Sequence, residues 1–202
     1  MMKNMCLLLC LLLLSACIAL PDNKLARANL NVGTNSTTGT SICYSTKFKL
    51  EGNREYVDVV DNKILKESDN DLNAIVASLL SKQKMFTPAK GKPECEGYSL
   101  EFVMEQKKFP AGDYIMELFG GMTFGVIPLT ETYVWDLNVS VSDKNRLLRI
   151  YDYKDGMKRY METLLLPIGL TPLYGKTATR KSVWTNMVTH ALNKFAADTP
   201  NL

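Results

Sequence analysis

The chain has 202 residues, 46% of them hydrophobic and 22% charged, with a formal net charge of +3. That length suits one domain with a sizeable core. Its 24 basic and 21 acidic residues form no basic stripe, so nothing argues for nucleic acid as a partner, and the mild positive balance reads as a solvated mixed surface.

The chain opens MMKNMCLLLCLLLLSACIAL. Lys3 supplies a short positive start, residues 5–14 are wholly apolar, and the small residues Ser15 and Ala16 follow. This is the three-part layout of a secretory signal peptide. The apolar run is too short to remain as a transmembrane helix, which needs about 20 residues. The tetrapeptide Leu14-Ser15-Ala16-Cys17 resembles the lipobox of bacterial lipoproteins, a resemblance confined to the leader. It implies diacylglycerol on the Cys17 thiol, cleavage before Cys17 and, in diderm bacteria, a third acyl chain on the new α-amino group. One acyl chain holds a protein to a membrane marginally, whereas two or more hold it stably. The residue after the cysteine is Ile18, not Asp. By the same analogy the inner-membrane retention signal is missing, so the implied address is the periplasmic face of the outer membrane.

On this reading residues 1–16 are the signal peptide, and Cys6 and Cys10 leave with it. Cys17 takes the lipid. Cys43 and Cys95 remain, an even pair in an oxidising compartment, and are expected to form a disulfide. Closing that loop contributes roughly 4 kcal/mol in the chain-entropy model. A metal site needs more ligands than these, and His190, the single histidine, stands far off in sequence. No cofactor is expected beyond the covalent lipid on Cys17. Residues 17–40 read as the lipidated cysteine and a flexible tether rich in Asn, Gly, Thr and Ser, with a reach of roughly 25–30 Å. Residues 41–198 read as a single domain.

Within that domain, ICYSTKFKL (42–50) alternates Ile42, Tyr44, Phe48 and Leu50 against Lys47 and Lys49, the pattern of a half-buried strand. YVDVV (56–60) suggests a second, short strand. Leu72, Ile75, Val76, Leu79 and Leu80 then repeat at helical spacing, with Asp69 or Asn70 as the N-cap, which predicts a helix over 70–84 that Pro88 and Pro93 terminate. YSLEFVMEQ (98–106) is another alternating strand. Strand, helix, strand predicts a parallel βαβ pairing, which would set Cys43 and Cys95 side by side at the strand starts. Tyr133, Trp135, Leu137, Val139 and Val141 alternate strictly, and residues 142–145 turn the chain into a return strand, giving a β-hairpin. The segment 157–175 starts helical and is broken by Pro167, Gly169 and Pro172. The chain closes on a helix over 180–197 with Val183, Trp184, Met187, Val188, Ala191, Leu192 and Phe195 on its apolar face.

Motifs for chemistry are missing from this sequence. No serine stands in a G-x-S-x-G elbow, the carboxylates are scattered singly, and the glycines of 120–125 fit neither a dinucleotide fingerprint nor a P-loop. His190 beside the apolar stripe reads as structural. Two segments, 114–129 and 160–174, are rich in apolar and aromatic residues and interrupted by Gly or Pro. They fit core strands and a packing loop. They also fit an exposed patch for a membrane or a protein, with Phe119, Phe124, Tyr160, Leu165 and Tyr174 as the candidate interaction surface. The expected fold is α+β and two-layered, a mixed sheet of four to six strands with two main helices on one face. The expected protein is a membrane-anchored bacterial envelope lipoprotein without enzymatic activity, an accessory or assembly factor for a protein partner. The alternative is a periplasmic lipoprotein that binds a lipid or small molecule. A hydrolase is the third reading, with no residue to nominate.

Overall fold

The computed structural model describes residues 16–31, 40–51, 59–83, 86–90, 97–107, 129–144, 146–162 and 175–199. They form six strands and two helices in the order β1 (Ala16–Pro21), β2 (Thr40–Leu50), α1 (Val59–Lys82), β3 (Phe86–Lys90), β4 (Tyr98–Gln106), β5 (Leu129–Asp143), β6 (Arg146–Glu162) and α2 (Lys176–Asp198). The strands make one mixed sheet in the order β1-β6-β5-β4-β2-β3. This is the expected α+β fold. The chain also divides into two compact units. One holds β1, the start of β5, the end of β6 and the first turns of α2. The other holds β2, α1, β3, β4 and the remainder of β5, β6 and α2.

The larger unit is ordered by register. β2 lies parallel to β4, with Ile42 opposite Tyr98, Tyr44 opposite Leu100 and Phe48 opposite Met104. This is the pairing expected of strand-helix-strand. β4 lies antiparallel to β5, with Leu100 opposite Val141, Phe102 opposite Val139 and Met104 opposite Leu137. The apolar residues of these strands therefore share one face, interrupted by Thr46 on β2, and all of those just named except Tyr98 and Thr46 are buried. The opposite face carries Ser45, Lys47, Lys49 and Glu101, all exposed. Both helices cover the apolar face. α2 brings Trp184 to 5.3 Å from the Phe48 ring and 5.8 Å from the Trp135 ring, the latter edge-on, and sets Phe195 edge-on to Tyr98 at 5.6 Å. Offset and edge-to-face contacts at these distances are the favoured aromatic geometries. α1 contributes Leu72, Val76, Leu79 and Leu80.

Several boundaries differ from the sequence expectations, each for a physical reason. Val59 and Val60 begin α1 and do not end a strand. The helix starts eleven residues before its expected start at residue 70, so Asp69 lies inside it and does not cap it. The Asp69 carboxylate accepts the backbone N–H of Phe48 at 3.1 Å. The polar first half of α1 holds its helical form with Ser68 buried and Lys63 and Glu67 paired at 3.9 Å. Phe86–Lys90 forms a short strand parallel to β2, with Pro88 opposite Ile42. Proline is tolerated there because β3 is an edge strand. Residues 157–162 continue β6 and are not helical, since they pair with β1. The hairpin turn falls where expected, with Lys144 at φ 44°.

At the end of α2, Asp198 accepts hydrogen bonds from the Arg149 guanidinium (2.8 Å) and the Tyr151 hydroxyl (3.0 Å), and pairs with Lys194 at 3.4 Å. Burial opposes its charge, but these bonds outweigh it and hold the carboxyl below its ordinary value of 3.8. A lowered carboxylate pKa stabilises the fold above the unfolded value and is lost as pH falls through the folded one. Titration of the Asp198 carboxyl by NMR should give a midpoint below 3.8, and Asp198→Asn should remove that part of the acid sensitivity of unfolding. Trp184, fully buried against two aromatic rings, should cost about 3–5 kcal/mol on replacement by alanine, read from urea unfolding midpoints.

Candidate functional site

The residue that carries the one specific motif, Cys17, lies within β1, its backbone opposite Met161 of β6. The pairing continues through Ile18 opposite Tyr160, Ala19 opposite Arg159, Leu20 opposite Lys158 and Pro21 opposite Met157. Ile18, Ala19 and Met157 are buried, whereas Leu20 is 40% exposed. Two contacts fasten the strand at its edges. The Thr179 hydroxyl of α2 donates to the Ala19 carbonyl at 2.8 Å, and the Asp22 N–H donates to the Gly156 carbonyl at 2.7 Å. Lys158 stands 3.8 Å from Asp22.

The same unit holds a polar cluster on β5, β6 and α2. Arg159 donates to Glu131 at 3.0 Å, and the Tyr133 hydroxyl donates to the same carboxylate oxygen at 2.9 Å. Lys176 donates to the Tyr133 oxygen at 2.7 Å and sits 4.4 Å from its ring centre. Burial, and then the bond to Glu131, push the Tyr133 phenol well above its ordinary range. The phenol stays protonated, and the Glu131 carboxylate and the Tyr133 oxygen both accept within the cluster. It ties three elements together, and it lacks a nucleophile placed against a base.

In the larger unit, residues 24–31 form a strap along α2. The Lys24 N–H donates to the buried Asp155 carboxylate at 3.1 Å. The Asn186 side chain accepts from the Ala28 N–H at 2.8 Å and donates to the Ala26 carbonyl at 3.1 Å. The His190 Nε2 lies 2.7 Å from the Ala26 carbonyl, so that nitrogen carries the proton. Asn193 accepts from the Asn31 N–H at 2.9 Å and donates to the Asn29 carbonyl at 2.8 Å. Positions 186, 190 and 193 recur at four and three residues and share one helix face. A side-chain amide presents an acceptor and donors together, so Asn186 and Asn193 each meet both polar groups of an extended backbone.

The tether expected over 17–40 is thus corrected for its described part. Residues 17–21 are strand and 24–31 are strapped to α2; residues 32–39 lie outside the described residues. Composition suggested free chain because the strap is held by backbone bonds, which leave no apolar pattern in the sequence. His190 has the structural role expected of it, now with a named partner. Asn186 and Asn193 were not legible as clamps, and only their helical spacing with His190 could have marked them. Cys43 is buried in β2 and disulfide-bonded. Cys95 and the candidate surface residues Phe119, Phe124, Leu165 and Tyr174 lie outside the described residues. Tyr160 is half-buried in β6, opposite Ile18. On β5 and β6 a groove of about 360 Å³ is lined by Asp136, Asn138, Asp152 and Lys154 among others. Asn138 donates to Asp152 at 2.7 Å, and Asp136 lies near Lys107 (3.4 Å) and Lys154 (3.8 Å). Its polar groups largely satisfy one another. Among the described residues no group of His, Cys, Asp and Glu could hold a metal ion, and no helix is long and apolar enough to cross a membrane.

No protein-family model matches the sequence, and no curated protein matches it. Solved structures give distant likenesses. One is to the crystal structure of a putative neuraminyllactose-binding hemagglutinin homolog from Helicobacter pylori. Its TM-score is 0.42 at 6% identity, over 83% of this chain and 91% of that one. Another is to a Xanthomonas campestris protein of the family DUF330, with TM-score 0.26 and 9% identity over 82% of this chain and 95% of that one. Scores this low carry no functional argument.

Lys24 and Arg27 are exposed in the strap, yet its backbone is held on α2. The double variant Asn186→Ala/Asn193→Ala removes four of the bonds named above and should be cut by trypsin at these two residues markedly faster than the native protein. Each lost bond is worth about 1 kcal/mol, and unchanged cleavage kinetics would show that the strap is not held by these side chains.

Proposed function

We propose that this protein is a lipoprotein of the bacterial envelope, anchored through acylated Cys17, that serves as a non-enzymatic accessory or assembly factor for a protein partner. The observation that carries the reading is the leader itself, a short apolar run ending in Leu14-Ser15-Ala16-Cys17. The periplasmic face of the outer membrane is the proposed address, from Ile18 after the cysteine. The partner reading is supported by a sequence without a catalytic motif and by polar clusters at Tyr133 and Asp136 whose members are bonded to one another. The ligand-binding alternative needs space between helices and sheet. In the larger unit the Phe48, Trp135 and Trp184 rings are packed against one another there, which favours a protein partner over a buried ligand. For Cys43 we propose Cys95 as the disulfide partner.

Cys17→Ala should move the protein from the membrane fraction to the soluble fraction and abolish palmitate incorporation. Unchanged fractionation sinks the lipoprotein reading. In-cell crosslinking of the acylated protein, followed by mass spectrometry, should capture a reproducible envelope protein; a copurifying lipid or small molecule without a protein would favour the alternative. Alkylation without reductant should leave Cys43 and Cys95 unlabelled, and rapid labelling of Cys95 would refute the pairing.

A further inference from the structure

We infer that a second copy of this chain pairs with the open edge of β6 over residues 146–152, antiparallel about a twofold axis at Arg149, so that Arg146 of each copy meets Asp152 of the other. In the sheet order β6 stands between β1 and β5, but β1 pairs only with residues 157–162. Residues 146–154 belong to the larger unit. They have β5 on one side and, among the described residues, no strand on the other. At about 3.3 Å per residue they present roughly 30 Å of strand edge. Sheets blunt such edges with prolines, bulges or very short strands, because the backbone groups there can take on another chain. The far end of this sheet is blunted in that way, since β3 is short and carries Pro88. The stretch RLLRIYDYK (146–154) has neither proline nor glycine. It holds Leu147 and Ile150, the most exposed large apolar side chains among the described residues, at 57% and 47%.

The charge pattern of this edge points to a copy of itself. Arg149 and Tyr151 reach Asp198, and Tyr153 donates to the His190 carbonyl, so the odd-numbered residues face α2. Alternation puts Arg146, Leu148, Ile150 and Asp152 in one row on the opposite face. Arg146, Ile150 and Asp152 are exposed there, and Leu148 is half-buried. The row runs Arg-Leu-Ile-Asp. Laid antiparallel on its own copy, it sets arginine opposite aspartate and leucine opposite isoleucine, each pair occurring on both sides of the axis. A twofold interface requires such self-complementarity, whereas a strand from an unrelated partner would not. Opposite charges and apolar pairs directly across two strands are stabilising. On the α2 face the same register sets Leu147 opposite Tyr151 and Arg149 opposite its own copy. Each Arg149 guanidinium is already held by its own Asp198 at 2.8 Å. Moving the axis to Ile150 would set Arg146 against Lys154 and Leu148 against Asp152, which is unfavourable at both pairs.

The test takes the full chain in mild detergent and measures its mass by sedimentation over a range of concentrations. The native protein should pass from one chain to two as concentration rises. Arg146→Asp turns both ion pairs into like-charge pairs and should weaken dimerisation about tenfold, as should Asp152→Arg. The double variant Arg146→Asp/Asp152→Arg restores opposite signs across the axis and should return dimerisation to within about threefold of native. Asp152 also accepts from Asn138. If its variants fail to fold, Ile150→Lys takes their place and should weaken the dimer as Arg146→Asp does. A native protein that stays monomeric at every concentration, including one that binds a different protein at this edge, overturns the inference. A dimer that Arg146→Asp leaves unchanged, or that the folded double variant does not restore, overturns it as well. Cys17→Ala should dimerise like the native chain, so the outcome is separate from that of the lipoprotein reading.

Discussion

Because side chains alternate along a strand, a shift of β4 by one residue against either neighbour would turn Leu100, Phe102 and Met104 to the solvent face. The larger unit depends on that register. It aligns the apolar rows of β2 and β5 with those of β4, leaves the charged rows outside, and gives α2 a surface on which Trp184 and Phe195 meet aromatic partners. The parallel step from β2 to β4 requires a crossover, and α1 supplies it. The helix in turn closes part of the open edge of β2, where Asp69 accepts the Phe48 amide beyond the last residue paired with β3. An unpaired strand edge invites association with other chains, and here a carboxylate satisfies one of its exposed donors.

The strands of the larger unit were legible because each buries one face, and burial on one face writes period two into the sequence. Ile42, Tyr44 and Phe48, or Tyr133 through Val141, needed no tertiary information. The second half of α1 and the apolar face of α2 were legible for the same reason at period 3.6. What escaped was structure held by other means. The first half of α1 has little apolar pattern to show. β3 contains a proline, which argues against a strand unless the strand is known to lie at an edge. The far end of β6 looked helical because its partner, β1, lies in a segment that composition assigned to leader and tether.

The candidate site was legible in part. The residues before Cys17 resemble a lipobox, whereas its setting in a paired strand is a matter of contacts made far along the chain. The strap shows the same division. Residues 24–31 have no periodicity, since Asn186, His190 and Asn193 hold the backbone and make few demands on its side chains. A flexible composition and a fixed path are compatible when the binding residues sit on the other element.

The bond from Thr179 to the Ala19 carbonyl joins residues 160 apart in sequence, and this distance has a kinetic meaning. Contacts of high sequence separation form late, because the loop they close must first be ordered. The strand that contains Cys17 is the first part of the sheet to be synthesised and has to wait for β6 and α2 before it can pair. Until then its backbone donors and acceptors have no partners in the sheet. Pairing of β1 with β6 thus comes last, and the strand made first is the last to be fixed in the sheet.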